Sequence, residues 1–597
     1  MTWFRSSGSS GSSGVSVWLG QRRSELARLP VLLGRVLPAL RLAKRSGTTP
    51  YIAWLEAHAD KRPDALFCEL DDTQVSFAQA RSRARRIARV LLDAGVQPGD
   101  VVALVAGNSP DYLLILLGIG YAGAVAALLN PELRGEPLAH ALRAAAPRLS
   151  LFEGAHRAAC SELTDPSLAG KVLDFGPGEL DTLAARAPEI AAPLADPEGD
   201  FVLIYTSGTT GLPKSCRVRH ERAGSAATIF GSVAFEFRPG DKLYCALPLH
   251  HSSALLIGVG AALVAGVPIA LRRKFSAREF ARDLARYNAT ATLYIGDVCR
   301  ALVHSEEAPE ERTLRLRVAV GNGLEPQIWA EFSRRFGQPV IREFYASTEA
   351  PSAILNLDGK LGSLGHVPFE QSRGFRLARL DAERLQLERD AAGRAQICAA
   401  DEPGELLLRV FPSAQQPEGA FGGYTDRAAS AQRLARDVFE PGDAYFRSGD
   451  VLRRDRDGYF YFVDRLGDGF RWKGENVSAL QVERVLDAEL GFPGVLVFGV
   501  AVPGYPGRAG FADVVGDASF DVTRVAAAAR ALPAHARPCF VRVVAVLELT
   551  SSFKIKKRAL DLSAIAGAQA LWVRQQDSYV VLTQKLWDDL CRGQARL

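Results

Sequence analysis

The sequence has eight cysteines and no Cys-x-x-Cys pair: Cys68, Cys160, Cys216, Cys245, Cys299, Cys398, Cys539 and Cys591 stand singly. That spacing disfavours both a zinc site and a disulfide framework, and it fits a reducing cell interior. Excess charge is also missing. The formal net charge is +5 over 597 residues, so bulk charge gives no argument for a nucleic acid partner. No uninterrupted membrane span is read either. Residues 112–129 carry no charged or strongly polar side chain, which meets the length threshold for a span. Gly118, Gly120 and Gly123 interrupt that run and Asp111 can cap a helix start, so it is better read as a core helix followed by a buried strand ending at Asn130. Residues 255–271 divide in the same way at Gly266 and Pro268.

What is present is ordinary globular composition, 48% hydrophobic and 23% charged, in a chain too long for one core. A Ser-Gly leader occupies the first 14 residues and is assigned no function. Residues 15–45 mix Trp18 and many leucines with Arg22, Arg23, Arg28, Arg35, Arg41, Lys44 and Arg45. Two readings stay open for them: an interfacial segment on anionic lipid, or a helix packed on the parent domain with its basic face outward. Pro30 and Pro38 should break the segment into two short amphipathic pieces. Beyond Pro50 strand-like and helical stretches alternate: strands at 66–70, 101–106 and 291–295, an apolar run at 201–204, and a helix over 78–94. This is the pattern of parallel sheets covered by helices, repeated enough for two stacked subdomains. Ligands in such folds collect at the carboxyl ends of strands.

The polar motifs fall in those loops. Tyr205, Thr206, Ser207, Gly208, Thr209, Thr210, Gly211, Leu212, Pro213 and Lys214 follow an apolar run. Small residues let the backbone approach a ligand, the hydroxyls add donors and Lys214 adds a cation, which suits a polyphosphate. The Walker pattern fails, because Gly208 and Gly211 are three apart and Pro213 precedes the lysine. Gly321, Asn322 and Gly323 follow the strand-like 318–320, where absent side chains would let a flat ring lie on the backbone. Tyr345, Ser347, Thr348 and Glu349 join an aromatic, two hydroxyls and a carboxylate suited to Mg2+. Asp450, after Ser448 and Gly449, is the kind of carboxylate that holds ribose hydroxyls. Residues 464–476 pack charge and glycine between the strand at 459–463 and the helix at 478–490, a segment able to absorb large backbone rotations. Asp464 and Arg465 also admit a plainer reading as a surface ion pair. The basic run 554–558 would by itself be a solvated face.

In order and spacing these strings resemble the adenylate-forming enzymes: acyl-CoA synthetases, luciferases and peptide-synthetase adenylation domains. The resemblance implies an α/β fold, with a large N-terminal domain of stacked, helix-covered sheets and a small mobile α+β C-terminal domain. The implied division is 1–14 flexible leader, 15–45 basic amphipathic segment, 46–465 AMP-binding domain and 466–597 lid domain, with a hinge at Leu466, Gly467 and Asp468. It implies that Thr206, Ser207, Gly208, Thr209, Thr210, Gly211 and Lys214 grip the phosphates of ATP, that Tyr345 stacks on the adenine, and that Gly321 and Asn322 belong to the cofactor-binding set. Thr348 would contact the α-phosphate, Glu349 would hold Mg2+, and Asp450 and Arg465 would take the ribose. Trp472, Gly474, Glu475 and Asn476 would line the pantetheine path of coenzyme A, and Lys554 would be the catalytic lysine. His251 matches a position that gates the acyl pocket; a buried, satisfied histidine is the other reading. The chain departs from the pattern at Ala346, Ala350 and Ser551, where glycine is usual, and at Ser448, where threonine is.

Several strings are similar more closely to the fatty acid transport protein group, the very-long-chain acyl-CoA synthetases. They begin at Leu271, Tyr294, Gly321 and, most tellingly, Phe470. The expected function is a long-chain or very-long-chain fatty acyl-CoA synthetase working through acyl-AMP and releasing AMP and pyrophosphate. ATP, Mg2+, coenzyme A and a long-chain fatty acid are its expected ligands, and nucleic acid is not. A carrier-loading acyl-AMP ligase and a non-catalytic membrane uptake protein are the alternatives. The expected location is the cytoplasm, with peripheral contact to the inner face of a membrane if residues 15–45 bind lipid.

Overall fold

Strands and helices form where glycine, proline and apolar runs direct them. The computed structural model describes residues 30, 32–46, 49–163, 165–176, 178–207, 213–368, 370, 374–381, 386–411, 423–466, 469–472, 475–492, 494–503, 505, 507–517, 519–547, 571–592 and 594–595. The apolar run at 112–129 divides into the helix Pro110–Tyr121 and the wholly buried strand Val125–Leu129, with Gly123 at φ +72° in the turn between them. Ser109, not Asp111, caps that helix. Its hydroxyl accepts from the Tyr112 N–H at 3.1 Å, while Pro110 takes the first position and Asp111 lies in the first turn. The second ambiguous run also divides, into a helix ending at Ala265 and the strand Ile269–Leu271, with Gly266 left-handed at φ +65°.

Val125–Leu129 pairs in parallel with Val101–Val105 on one side and Asp200–Ser207 on the other. This sheet continues to Leu149–Glu153 and Lys171–Phe175, and ends in the antiparallel strand Pro213–Arg219. A second sheet runs through Val340–Tyr345, Val318–Asn322, Ala291–Ile295, Leu243–Cys245, Ile269–Leu271 and Leu66–Leu70, with antiparallel edges at Ile354–Leu355 and Thr73–Ser76. Helices such as Phe77–Asp93 and Pro110–Tyr121 fill the space between the sheets, and one continuous core holds both. A third, antiparallel sheet carries Gly404–Arg409, Ala444–Arg454 and Tyr459–Arg465.

A separate core begins at Phe470 and gathers Leu486, Val497, Phe511, Phe540 and Trp587 around the sheet Val495–Val500, Ala509–Val515, Phe540–Val544, Leu571–Gln575 and Ser578–Val581. The chain is therefore α/β, with stacked helix-covered sheets followed by a smaller α+β unit. Arg300 reaches between them, to Glu325 at 2.6 Å and to Asp487 of the smaller unit at 3.4 Å. Burial pushes the Asp487 carboxyl up to about 6.

Near the amino end Pro38 does not break the segment. A wide π-helical turn, Leu32–Val36, leads directly into the helix Leu37–Ser46, which starts one residue before the proline, where its missing N–H costs least. Ala39 and Ala43 are buried, the helix lies along His220–Ile229, and Arg41 and Lys44 face outward. Residues 37–46 thus follow the packed-helix reading. Among the described residues no helix is long and apolar enough to cross a membrane.

Candidate functional site

Val318–Asn322 and Val340–Tyr345 are parallel neighbours, so their carboxyl ends place the loops after residues 322 and 345 side by side. Tyr345, 8% exposed, ends its strand with its hydroxyl donating to Asp450 Oδ2 at 2.6 Å. Asp450 is buried and stands opposite Arg465 across the third sheet; Arg465 Nε donates to its Oδ1 at 2.9 Å. The Asp450 N–H donates in turn to the Ser448 hydroxyl at 3.1 Å. Burial, together with the Asp450 carboxylate, raises the Tyr345 hydroxyl well above its usual range. Three residues from separate sequence motifs therefore meet with their polar atoms mutually satisfied. The Arg465 side chain is half exposed, so its ion pair adds little to stability.

The 346–350 loop carries Thr348 and Glu349. The Thr348 and Ser252 hydroxyls lie 2.9 Å apart, which places the residue after His251 against the loop. The His250 and His251 rings are 4.3 Å apart, and burial holds His250 well below the usual histidine range, in its neutral form. Glu349 Oε1 accepts the Tyr424 hydroxyl at 3.0 Å, and Lys214 Nζ lies 5.8 Å from the centre of the Tyr424 ring. Arg222 supports the loop from the helix His220–Ile229: its Nη2 donates to the Ser347 carbonyl at 3.2 Å and to the Ala350 carbonyl at 2.6 Å. Desolvation lowers the Arg222 guanidinium from its usual value.

Tyr424, Arg222 and Ser252 were not legible as site residues. For Arg222 the available signal is an arginine beside Ala223, Gly224, Ala226 and Ala227, small residues that leave room for a guanidinium to turn inward. Tyr424 stands in an unremarked Gly423-Tyr424-Thr425-Asp426 string.

Thr206 and Lys214 pair across the antiparallel strands Asp200–Ser207 and Pro213–Arg219, and the Thr206 hydroxyl donates to the Lys214 carbonyl at 3.4 Å. Ser207 closes its strand. Gly208, Thr209, Thr210, Gly211, Gly474 and Lys554 lie outside the described residues. Glu475 and Asn476 form a short hairpin with Phe470–Trp472. Trp472 is buried within the core of the smaller unit, its ring 5.7 Å from Tyr505. Among the described residues no group of three or more His, Cys, Asp or Glu side chains could hold a metal. The donor set fits Mg2+, a hard cation usually held by one or two carboxylates with substrate phosphates completing the shell; Glu349 is the carboxylate on the loop.

Beneath the 321–324 loop lies Glu343, 3% exposed, and burial pushes its carboxyl up to about 8. Unfolded, a glutamate titrates near about 4.3, so the folded state keeps a proton that the unfolded chain has lost. Stability from this group is present at low pH and declines as pH rises from about 4 to about 8. The melting temperature of the wild type is expected to fall between about pH 6 and pH 8, and Glu343→Gln is expected to reduce that fall. Equal slopes in the two proteins would contradict the assignment.

A family model described as AMP-binding enzyme matches residues 55–409. Long-chain fatty acid transport protein 1 of Mus musculus is 38% identical over 96% of this chain and 92% of its own length. The medium/long-chain-fatty-acid–CoA ligase FadD6 of Mycobacterium tuberculosis is 37% identical over 89% of this chain and 88% of its own. Among solved structures, ATP-bound MatB from Rhodopseudomonas palustris superposes with a TM-score of 0.71 at 24% identity, covering 85% of this chain and 97% of MatB. Bacillus subtilis MenE in complex with ATP and magnesium ion gives 0.66 at 22% identity, with 84% and 98% covered.

Proposed function

Since the chain belongs to the AMP-binding enzyme family, we propose that it is an ATP-dependent, AMP-forming acid–CoA ligase whose acid is a long-chain fatty acid. The observation that carries the reading is the meeting of Tyr345, Asp450 and Arg465 beside the loop of Thr348 and Glu349. An aromatic ring, a carboxylate fixed by two donors, a hydroxyl and a second carboxylate are the groups that a nucleotide carrying Mg2+ would call on. The choice of acid is supported by the relatives named for long-chain fatty acid transport and for medium- and long-chain fatty acid–CoA ligation.

A fatty carboxylate is already ionised at neutral pH, so attack on the α-phosphate requires positioning and charge neutralisation more than a general base. Tyr345 stacks on the adenine, its ring held by the hydrogen bond to Asp450, and Asp450 with Arg465 takes the ribose hydroxyls. Thr348 turns its hydroxyl to the α-phosphate, held in place by Ser252. Thr206, Ser207, Gly208, Thr209, Thr210, Gly211 and Lys214 hold the outer phosphates. Glu349 would hold Mg2+, which would supply neutralisation of the developing phosphate charge. Lys554 adds its ammonium to the transferring phosphoryl group as pyrophosphate leaves. Attack of the coenzyme A thiol on acyl-AMP then requires Lys554 to withdraw and the path past Gly474, Glu475 and Asn476 to open. We place the two domains at 46–465 and 466–597, with the hinge at residues 466–468.

The test is thioester formation by the purified protein with ATP, Mg2+, coenzyme A and fatty acids of graded length. A length optimum among long chains is the expected result. Pyrophosphate without thioester would point to a carrier-loading ligase, and neither product would remove the enzyme reading.

A further inference from the structure

Glu349 does not turn freely on its loop. Tyr424 is buried, 7% exposed, and its hydroxyl donates to Glu349 Oε1 at 3.0 Å from 75 residues away in sequence. The backbone of this tyrosine is fixed on both sides. It bridges Cys216 on the strand Pro213–Arg219, while the Arg217 N–H donates to the Gly423 carbonyl at 3.2 Å and the Thr425 N–H to the Ser215 carbonyl at 3.0 Å. The Tyr424 N–H donates in turn to the buried Ser430 hydroxyl at 2.8 Å. The phenol is therefore stapled to the strand that carries Lys214, whose ammonium lies 5.8 Å from the ring centre. The other end of the contact is held as firmly. Arg222 Nη2 donates to the carbonyls of Ser347 and Ala350, on either side of Thr348 and Glu349, so the backbone that carries the carboxylate is pinned as well.

A hydroxyl that donates to one oxygen of a carboxylate orients its plane and leaves the other oxygen as the stronger ligand. Among the described residues Oε1 is the engaged oxygen of Glu349, and Oε2 accepts no hydrogen bond. The carboxylate therefore offers a cation one oxygen rather than two. That difference bears on metal choice. Mg2+ takes near-ideal octahedral geometry at about 2.0–2.1 Å and is held through one or two carboxylates, with water and phosphate oxygens completing the shell. Ca2+ takes roughly six to eight oxygens at about 2.3–2.6 Å and gains from a carboxylate that can turn both oxygens to it. We infer that Tyr424 is a positioning residue that, by engaging Glu349 Oε1, presents Oε2 as a single-oxygen ligand and so makes the nucleotide site select Mg2+ over Ca2+. This deepens the proposed function and rests on its placement of Mg2+ at Glu349.

Isothermal titration of the full chain with Mg-ATP and with Ca-ATP, each metal in saturating excess and acid and coenzyme A omitted, reads metal choice without turnover. The wild type is expected to favour Mg-ATP by about tenfold or more. Tyr424→Phe keeps the ring beside Lys214 and loses only the hydroxyl. Its Mg-to-Ca ratio should fall about fivefold or more, through weaker binding of Mg-ATP while Ca-ATP binding holds or improves. In a Glu349→Gln background, which has no carboxylate to orient, the same Tyr424→Phe change is expected to leave the ratio within about twofold. Should Tyr424→Phe fail to fold, Glu349→Asp, whose shorter side chain withdraws the carboxylate from the hydroxyl, is expected to narrow the ratio by about threefold. A tyrosine that serves stability alone would lower the melting temperature of Tyr424→Phe and leave its ratio unchanged. That unchanged ratio, an equal weakening of both complexes, an equal narrowing in the Glu349→Gln background, or a wild type without preference overturns the inference. A wild type that prefers Mg-ATP and loses the preference in Tyr424→Phe yet makes no thioester removes the ligase reading and leaves metal selection standing. Thioester formation with an unchanged ratio in Tyr424→Phe does the reverse.

Discussion

Asp450→Ala is expected to lower kcat/KM for ATP by roughly 100- to 1,000-fold, through loss of about 3 kcal/mol of hydrogen bonding. The carboxylate accepts from the Tyr345 hydroxyl at 2.6 Å and from Arg465 Nε at 2.9 Å, so its removal affects two side chains at once. The buried Tyr345 hydroxyl loses its acceptor, the aromatic ring loses the contact that fixes its plane, and Arg465 loses the charge that orients it. On the proposed function the ribose would lose its own acceptor in the same step. Asp450→Asn should retain more activity, because its amide oxygen can still accept from one of the two donors. The Arg465 part of the loss should be the smaller, since that side chain is 53% exposed and water can replace the contact. Steady-state kinetics at varied ATP decides the matter: an Asp450→Ala enzyme within about threefold of wild type would remove Asp450 from the nucleotide site.

Lys554→Ala should abolish adenylate formation, a loss of about 1,000-fold or more as for other transition-state donors, while largely sparing conversion of supplied acyl-AMP to thioester. The asymmetry follows from the chemistry proposed for each half-reaction. Only the first develops negative charge on a transferring phosphoryl group, and the second requires the lysine to be elsewhere. The two half-reactions are measured separately, as acid-dependent pyrophosphate release and as thioester formation from synthetic acyl-AMP. Equal loss in both would contradict the role given to Lys554.

Much of this arrangement is written in local sequence. The helix Pro110–Tyr121 and the strand Val125–Leu129 follow from glycines that interrupt an apolar run, and the strand Ala291–Ile295 stands at its predicted residues. Tyr345, Asp450 and Arg465 announce themselves because each lies in a compact string of turn and polar residues. Their meeting is not local: Tyr345 and Asp450 are 105 residues apart, and only the packing of two sheets makes them partners. The same distance hides the Tyr424 contact to Glu349, 75 residues away, and the grip of Arg222 on the Ser347 and Ala350 carbonyls, 125 and 128 residues on. A single buried glutamate such as Glu343 carries no periodic signal, since its meaning lies in the Leu324 amide and the Tyr294 hydroxyl it faces. Pro38 misled in the opposite sense, because a wide helical turn preceding it removes the conflict that a proline creates in a regular helix.

The central claim is that the acid is activated as an acyl-AMP. Incubating the purified protein with ATP, Mg2+ and a long-chain fatty acid, with coenzyme A withheld, and analysing the quenched mixture by mass spectrometry tests it directly. Acyl-AMP and pyrophosphate should appear in equal amounts, up to one per active site, and later addition of coenzyme A should convert the acyl-AMP to thioester with release of AMP. Formation of ADP and phosphate in their place, or thioester with no acyl-AMP before it, would contradict the account.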